Sequence, residues 1–265
     1  MNIITEPSVY LVGKQLIDQA EMGRFLDAHD VPKWSTDAPS HSEELVETAG
    51  RLCYMSFAKP RPGGNQAYIN HILEVGHGSV LEHAVYSMIF TGISRSLTHE
   101  LVRHRAGMSY SQLSQRYVDE SDCAFVEPPG LDPLSHTDSS DVDSAMAYHA
   151  WHIAVEQSIN AYRSILENQG NQIEGLTGAA KTTATKKVRE AARSVLPNCT
   201  ETKIFVTGNA RAWRHFLELR GSIHADAEIQ RLAIAVLKVL QAESPNLFGD
   251  YTVTEQGIET IWRKV

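Results

Sequence analysis

The segment 103-RHRAGMSYSQLSQRY-117 gathers many hydrogen-bond donors in a short space. Its fifteen residues include three arginines, three serines, two tyrosines and a histidine, and they contain no acid. Arginine guanidinium groups are planar and always charged, which suits phosphates, and serine hydroxyls with neighbouring backbone amides can approach an anion closely. Arg103 and Arg105 are two residues apart, so at a helix end they point to different sides. The segment is therefore a candidate site for one or two anionic ligands, and the alternative is a solvated basic helix end.

Two further basic groups favour an anion site over a solvated surface. In 186-KKVREAARSVLP-197, Arg189 and Arg193 are four residues apart and share a helix face. The segment 209–230 supplies a second group, consisting of Asn209, Arg211, His215 and Arg220. Some of these arginines will pair with nearby glutamates. Even so, three such groups in an acidic chain indicate a pocket for several phosphates, as in sites for large anionic cofactors and nucleotides.

The histidines and cysteines do not form a recognisable metal site. His99 and His104 are five residues apart, about 140° around a helix, whereas the zinc-protease pattern needs a spacing of four. In 76-GHGSVLEHA-84, His77 and His83 fit either a ligand contact or ordinary caps. The three cysteines are far apart and lack zinc-type spacing. We therefore predict no metal.

Composition predicts a soluble globular protein, with residues 1–265 forming a single domain. The 265 residues are 42% apolar and 21% charged, and the formal net charge is −8. An acidic balance disfavours nucleic-acid and membrane binding, so an anion site must be a local basic pocket. The cysteine usage, together with the lack of a signal sequence or an apolar run of eighteen residues, predicts a cytoplasmic setting.

The pattern of elements predicts an α+β fold. Strands are predicted at 8–13, 84–92 and 202–208, the second as a central strand covered on both faces. Ser40 and Glu43 predict a capping box, and 119–143 reads as a surface excursion because it is acidic and rich in Pro, Gly and Ser. Helices are predicted at 14–29, around 45–52 and 68–73, from Ser94 into the RHR, through the stripe Tyr148 to Leu166, and at 182–194, 209–220 and 226–242. The segment 175-GLTGAAKTT-183 lacks a glycine directly before Lys181, so we predict a helix start there and not a phosphate loop.

The motifs together resemble those of the flavin-dependent thymidylate synthases. RHR, eight residues and then Ser114 match that family's RHR-x(7 or 8)-S signature, and Gln115-Arg116-Tyr117 continue the match. GHGSVLEH resembles the GHxSxxEH segment, while ARSVLP and NARAWRHFLELR…HADAEIQ are similar to the C-terminal half. The resemblance covers most of residues 70–240, with the motifs in the expected order.

The resemblance implies a homotetramer of α/β subunits, each with a mixed sheet packed with helices and with active sites where subunits meet. Each site would bind FAD tightly, together with dUMP and a folate. FAD reduced by NADPH accepts the methylene of 5,10-methylenetetrahydrofolate and passes this carbon and a hydride to C5 of dUMP, giving dTMP and tetrahydrofolate. An RNA-binding module and a non-catalytic scaffold are the alternatives; the net charge disfavours the first, and the intact motifs disfavour the second.

The resemblance also implies roles for individual residues. Its implied FAD contacts are Ser79, Arg103, His104, Arg105, Gln112, Asn209, Ala210, Arg211 and His215. Its implied dUMP contacts are Glu100, Leu101, Val102, Arg103, Gln112, Leu113, Ser114, Gln115, Arg116, Arg193 and Arg220. Arg220 is the implied catalytic residue, because its charge beside the uracil favours loss of the N3 proton. His77 and Tyr117 would lie beside the flavin and folate. Ser114 lacks an evident base partner, so we expect it to bind phosphate and not to attack the substrate.

Overall fold

The computed structural model describes residues 1–31, 34–59, 61–131 and 142–265. Its strands are β1 (Asn2–Ile4), β2 (Ser8–Lys14), β3 (Val85–Ser94), β4 (Met108–Gln112), β5 (Ala124–Val126), β6 (Glu201–Asn209), β7 (Thr252–Thr254) and β8 (Gly257–Glu259). Its helices are α1 (Gln19–Ala28), α2 (His41–Cys53), α3 (Gly64–Glu74), α4 (Arg95–Leu101), α5 (Val142–Asn168), α6 (Gly178–Ala192), α7 (Ala210–Arg220), α8 (Ala227–Glu243) and α9 (Pro245–Phe248). Short 3₁₀ helices occupy Gly78–His83, Gly170–Gln172 and Arg193–Val195. The predicted combination of helices and sheet is confirmed.

The chain forms two compact units. The first consists of residues 1–7, 91–100 and 111–204, and the second of residues 8–90, 101–110 and 205–265. Compact units of this size also occur within single domains, so the single domain predicted for 1–265 stays a prediction. Within the described ranges, no helix, including the 27-residue α5, is apolar enough over a sufficient length to cross a bilayer.

Strands β2, β3, β6 and β4 lie in that order in one sheet, so the predicted central position of β3 is confirmed. Tyr86, Met88 and Phe90 are fully buried and form one face of this strand. Ser87 and Ile89 point to the opposite face and are only half-buried. Within the second unit this face of β3 is therefore only partly covered, and the predicted coverage of both faces stays a prediction.

Helix α7 packs into the core of the second unit. Phe90 makes an edge contact with Trp213, and Trp213 makes another with Phe216, with ring centroids 6.1 and 5.8 Å apart. Aromatic pairs in this geometry stabilise a core beyond the area that they bury. The predicted inward stripe of α8 is confirmed, because its four members, Ile229, Leu232, Val236 and Leu240, are all buried. The spacing of apolar residues thus fixes the orientation of both helices.

Local signals set several helix ends. The Ser40 hydroxyl accepts from the Glu43 backbone at 3.3 Å and donates to its carboxylate at 3.1 Å, which confirms the capping pair. Asp18 caps α1, so that helix begins later than the predicted residue 14. Helix α4 ends at Leu101, so the RHR lies just beyond it and not within a helix. Pro245 follows the end of α8 and also opens α9, a position that proline tolerates because its missing N–H has no helical partner.

The first unit contains a strand inside the predicted surface excursion. Residues 124–126 form β5, which pairs in parallel with β1 in the register Ile3 to Phe125. Phe125 is buried in a cluster with Val155, Ile159, Tyr162 and Ala192. This corrects the prediction for residues 124–126. Three apolar residues between acidic and proline-rich neighbours are too few to indicate a strand. Residues 132–141 of the excursion lie outside the described residues. From Trp151 to Leu166, the amphipathic stripe of α5 is confirmed, because its residues belong to this cluster or pack against it.

Candidate functional site

In the second unit, the RHR segment meets helix α7. The Nε–H of Arg220, at the end of α7, donates to Nε2 of His104 at 3.0 Å. The His104 ring also stacks edge-on with His215 and Phe216, at centroid distances of 5.7 and 5.5 Å. Of the residues assigned from the resemblance, the structure thus brings together His104, His215 and Arg220. Arg103 and Arg105, on either side of His104, are exposed, so the triplet alternates between solvent and core.

Burial is the main determinant of the charge state of His104. Its imidazole is 8% exposed. Burial, together with the Arg220 guanidinium and the His215 ring, lowers the pKa of His104 to about 4. Removal from water disfavours the charged form of a histidine, and a nearby cation acts in the same direction. The imidazole is therefore neutral at physiological pH, as it must be to accept a hydrogen bond at Nε2.

A second group of assigned residues surrounds the start of α7. The Asn209 side chain caps this helix by accepting from the Ala212 backbone at 2.8 Å, and the Asn209 N–H donates to the Gly107 carbonyl at 3.1 Å. The N–H of Ala210 donates to the carbonyl of Ala84, directly after the Gly78–His83 helix that carries Ser79. The start of α7, the loop after the RHR and the GHGS segment are therefore fixed to one another by backbone hydrogen bonds.

Arg211 lies between the GHGS segment and the C-terminal residues. It forms an ion pair with Glu82 at 2.8 Å, and both side chains are about half exposed. A Cβ added at Gly78 would lie 3.0 Å from Nε of Arg211 and 2.9 Å from the carbonyl carbon of Val265. Gly78 thus permits a close approach that a larger residue would prevent. The position of Val265 next to Gly78 was not predicted, and no local sequence signal would have indicated it.

In the first unit, the segment 112–117 leaves β4 through a hydrogen-bonded turn. The Gln112 amide donates to the hydroxyls of Thr98 and Thr202 at 3.2 and 3.3 Å. The Leu113 N–H donates to the Lys203 carbonyl, and the Ser114 carbonyl accepts from Tyr117 N–H at 3.0 Å. Gln115 is buried, and its side-chain nitrogen has no hydrogen-bond partner among the described residues. The backbone of the predicted dUMP segment is therefore held in place.

A basic groove lies beside this turn. Its volume is about 290 Å³, and its lining includes the side chains of Arg116, Tyr117, Lys181, Thr182, Thr185, Lys186 and Arg189. The Lys186 ammonium sits 4.2 Å from the centre of the Tyr117 ring, and its hydrogen bond and charge lower the pKa of Tyr117. Arg116 pairs with Glu190 at 3.3 Å. Lys181 and Lys186 were not predicted as site residues, although Lys186 precedes Arg189 by three residues and so shares its face of α6.

Arg95 is a further cation that was not predicted as a site residue. It lies close enough to Arg193 and Glu120 for both to affect it: burial lowers the pKa of Arg95, Glu120 raises it, and Arg193 lowers it further. One terminal nitrogen of Arg95 is buried without a partner among the described residues. Arg193, assigned to dUMP, therefore shares a partly desolvated cationic region with Arg95, where an anion would relieve the repulsion.

Other assigned residues differ in accessibility. Leu101 has a fully buried side chain, so it can reach a ligand only through its backbone. Val102, His77 and Tyr117 are exposed, while Glu100 is half-buried. In the part of the chain that the structure describes, no three His, Cys, Asp or Glu side chains are grouped as metal ligands.

The fold and these sites define an α/β protein with clustered arginine, serine and glutamine side chains suited to nucleotide-like anions. Residues 36–246 match the protein-family model described as thymidylate synthase complementing protein. The chain therefore belongs to this family, which confirms the family resemblance seen in its motifs.

Individual relatives agree with this assignment. The chain is 50% identical over 244 residues to the flavin-dependent thymidylate synthase of Mycobacterium sp. strain JLS, covering 90% of this chain and 89% of that protein. It is 49% identical over 235 residues to the protein of the same name from Mycobacterium tuberculosis strain H37Rv, covering 87% of each. Among solved structures, the UMP/dUMP methylase PolB of Streptomyces cacaoi, bound with 5-Br dUMP, has a similar fold. Its TM-score is 0.67 at 21% identity, covering 94% of this chain and 96% of that one.

Proposed function

We propose that this chain catalyses the reductive methylation of dUMP to dTMP. In this proposal 5,10-methylenetetrahydrofolate donates the carbon, NADPH is the reductant, and FAD is the tightly bound cofactor. The observation that carries the proposal is the family match over 36–246, together with relatives about 50% identical that are named flavin-dependent thymidylate synthases. The intact RHR-x8-S spacing at 103–114 supports it.

FAD would be held by Ser79, Arg103, His104, Arg105, Gln112, Asn209, Ala210, Arg211 and His215. The chemistry of these donors fits the group: a dinucleotide carries two phosphate charges, and exposed guanidinium groups are planar donors for such anions. The absence of a Cβ at Gly78 lets the Arg211 guanidinium lie close to the GHGS backbone, so Gly78 helps to set the position of this FAD candidate. When bound, FAD supplies the carbon and hydride transfer chemistry that amino-acid side chains lack.

Replacing Gly78 by alanine tests this part of the site. We expect the new Cβ to displace Arg211 or the Val265 backbone and to weaken FAD binding by about tenfold, since a displacement of 1 Å has costs of that order or larger. FAD affinity would be measured by titration of the apoprotein, monitored by flavin fluorescence. Gly23→Ala is the matched control, because nothing lies within 4 Å of a Cβ at Gly23. Equal FAD affinity in the two variants would contradict the assignment.

dUMP would be bound by Glu100, Leu101, Val102, Arg103, Gln112, Leu113, Ser114, Gln115, Arg116, Arg193 and Arg220. The Ser114 hydroxyl would contact the phosphate, and the charges of Arg116 and Arg193 would neutralise it. Two of the three cysteines are poorly suited to a covalent attack on dUMP. Burial raises the pKa of Cys123 to about 12, so this group remains a thiol at neutral pH. Cys199 packs against the core of the first unit.

Arg220 would face the uracil as the catalytic residue. A guanidinium there stabilises negative charge that develops at N3, and the ring becomes more nucleophilic at C5. His77 and Tyr117, both exposed, would contact the flavin and the folate. Both side chains are therefore accessible to ligands.

The assembly would be a homotetramer with active sites at subunit interfaces, working in the cytoplasm. Support for association comes from the second unit, where Ser87 and Ile89 of β3 are half-buried and Phe205 of β6 is 39% exposed. A partly open sheet face with apolar side chains is typical of a surface that another subunit covers. Analytical ultracentrifugation would test the tetramer.

The direct experiment is tritium release from [5-³H]dUMP with methylenetetrahydrofolate and NADPH, with and without added FAD. We expect yellow protein with a flavin absorption band and FAD-dependent formation of dTMP. Protein that remains colourless after incubation with FAD, or that releases no tritium when loaded, would contradict the proposal.

A further inference from the structure

The contact between His104 and Arg220 links two motifs that are 116 residues apart. The guanidinium Nε–H points at the imidazole Nε2 over 3.0 Å, a normal length for this type of hydrogen bond. Arg220 is at the last turn of α7, where its long side chain has many rotamers unless a partner restricts it. His104 is such a partner.

The imidazole is itself held from several directions. Its ring packs edge-on against His215 at 64° and Phe216 at 74°, both on α7. The Tyr110 hydroxyl donates to the His104 carbonyl at 2.6 Å and to the Leu101 carbonyl at 3.0 Å, which fixes the backbone on both sides. A ring restrained in this way presents its Nε2 in one direction.

The protonation state of the ring suits an acceptor. Because His104 is buried and faces Arg220 and His215, its pKa falls to about 4, so the ring is neutral at neutral pH. A neutral imidazole that accepts at Nε2 carries its proton on Nδ1. A charged imidazole would have no acceptor and would repel the guanidinium.

We propose that His104 is a positioning residue for the reaction and orients the Arg220 guanidinium toward the pyrimidine. By accepting the Nε–H, His104 fixes the plane of the guanidinium, so the cation is already directed when the uracil arrives. This role rests on the proposed function, and it goes beyond the flavin contact that the resemblance assigns to His104. In this role His104 affects the reaction mainly through Arg220, which is assigned to dUMP.

A double-mutant cycle tests the role. His104→Phe keeps an aromatic ring but removes the acceptor, whereas His104→Gln retains an acceptor near the same position. We expect His104→Phe to lower kcat per bound flavin by about tenfold or more, beyond any loss of FAD, with partial rescue in His104→Gln. In an Arg220→Ala background, His104→Phe should cause almost no further loss, because both changes remove the same interaction. His149→Phe, at an exposed position on α5, is the matched control.

Imidazole titration by NMR provides a readout that needs no turnover. We expect the pKa of His104 to be near 4 in the wild type and to rise in Arg220→Ala, since a neighbouring positive charge is lost. Unchanged titration, equal losses in the two backgrounds, or FAD loss with normal kcat per bound flavin would overturn the inference. If wild-type protein forms no dTMP, the proposed function fails and this role fails with it. If wild type is active and His104→Phe retains full activity, only the inference fails.

Discussion

Arg220→Ala is expected to lower the rate of dTMP formation by about 10²–10³-fold, the usual cost of removing one group that stabilises transition-state charge. The uracil ring must carry negative charge for its C5 to act as a nucleophile, and a guanidinium stabilises that charge. Alanine removes the cation, and no water in its place supplies a fixed positive charge. We expect FAD to remain bound, because Arg220 is not among the residues assigned to FAD.

Three measurements decide this prediction. Tritium release in a single turnover reports the chemical step, flavin absorbance per subunit reports cofactor content, and calorimetry reports dUMP affinity. Arg220→Lys should recover part of the rate, since an ammonium restores the charge but not the planar fork. Arg24→Ala is the control, because Arg24 on α1 is 79% exposed and pairs with Glu21 in its own helix. Loss of FAD from Arg220→Ala at a normal rate per bound flavin would show that Arg220 serves the cofactor.

Local patterns were sufficient to predict the elements that carry the site. The apolar residues of α7 and α8 recur at helical spacing, and Asn209, Ser40 and Asp226 are side chains that cap helices. Each of these signals depends on a few neighbouring residues, so it can be recognised in the sequence. The motif spacing from 103 to 114 likewise indicated the family, which the match over residues 36–246 confirms.

Long-range pairings could not be predicted in this way. The acceptor for Arg220 is 116 residues away, and the partner of Arg214 is 36 residues away. The sequence motifs group Arg211, His215 and Arg220 as ligand candidates and give no sign of what Arg214 does. Yet Arg214 is the fully buried arginine on this helix. Which arginine faces the core depends on an acid supplied by another element, and helical spacing alone does not identify that acid.

The two sets of arginines on α7 therefore have different roles. Arg211 and Arg220 are at least partly accessible and pair with Glu82 and with the neutral His104. Arg214 is enclosed and pairs with Asp250. Arg211 and Arg220 are nine residues apart and leave α7 in nearly opposite directions, whereas Arg214 anchors the helix internally. The orientation of the accessible arginines thus depends on the stability of the buried pair.

Asp250→Ala should consequently be strongly destabilising, costing about 3–5 kcal/mol in the free energy of unfolding. Both side chains of the pair are almost completely buried, and two parallel hydrogen bonds of 2.7 and 2.8 Å join them. Removing the carboxylate leaves a guanidinium in the core without its counter-charge. The Leu247 carbonyl, 2.8 Å from the same guanidinium, and the Tyr251 ring remain as weaker partners.

Urea unfolding of purified variants measures this cost. The pair between Glu243 and the half-exposed Lys14, 2.9 Å long, provides the control, since Lys14→Ala should cost at most about 1 kcal/mol. The double variant Arg214→Met, Asp250→Leu should lose less stability than Asp250→Ala, because no unpaired charge remains in the core. A loss in Asp250→Ala no greater than that in Lys14→Ala would contradict the anchoring role. Because Arg211, His215 and Arg220 all extend from α7, we expect Asp250→Ala to lower activity in proportion to unfolding, with a normal rate in the fraction that stays folded.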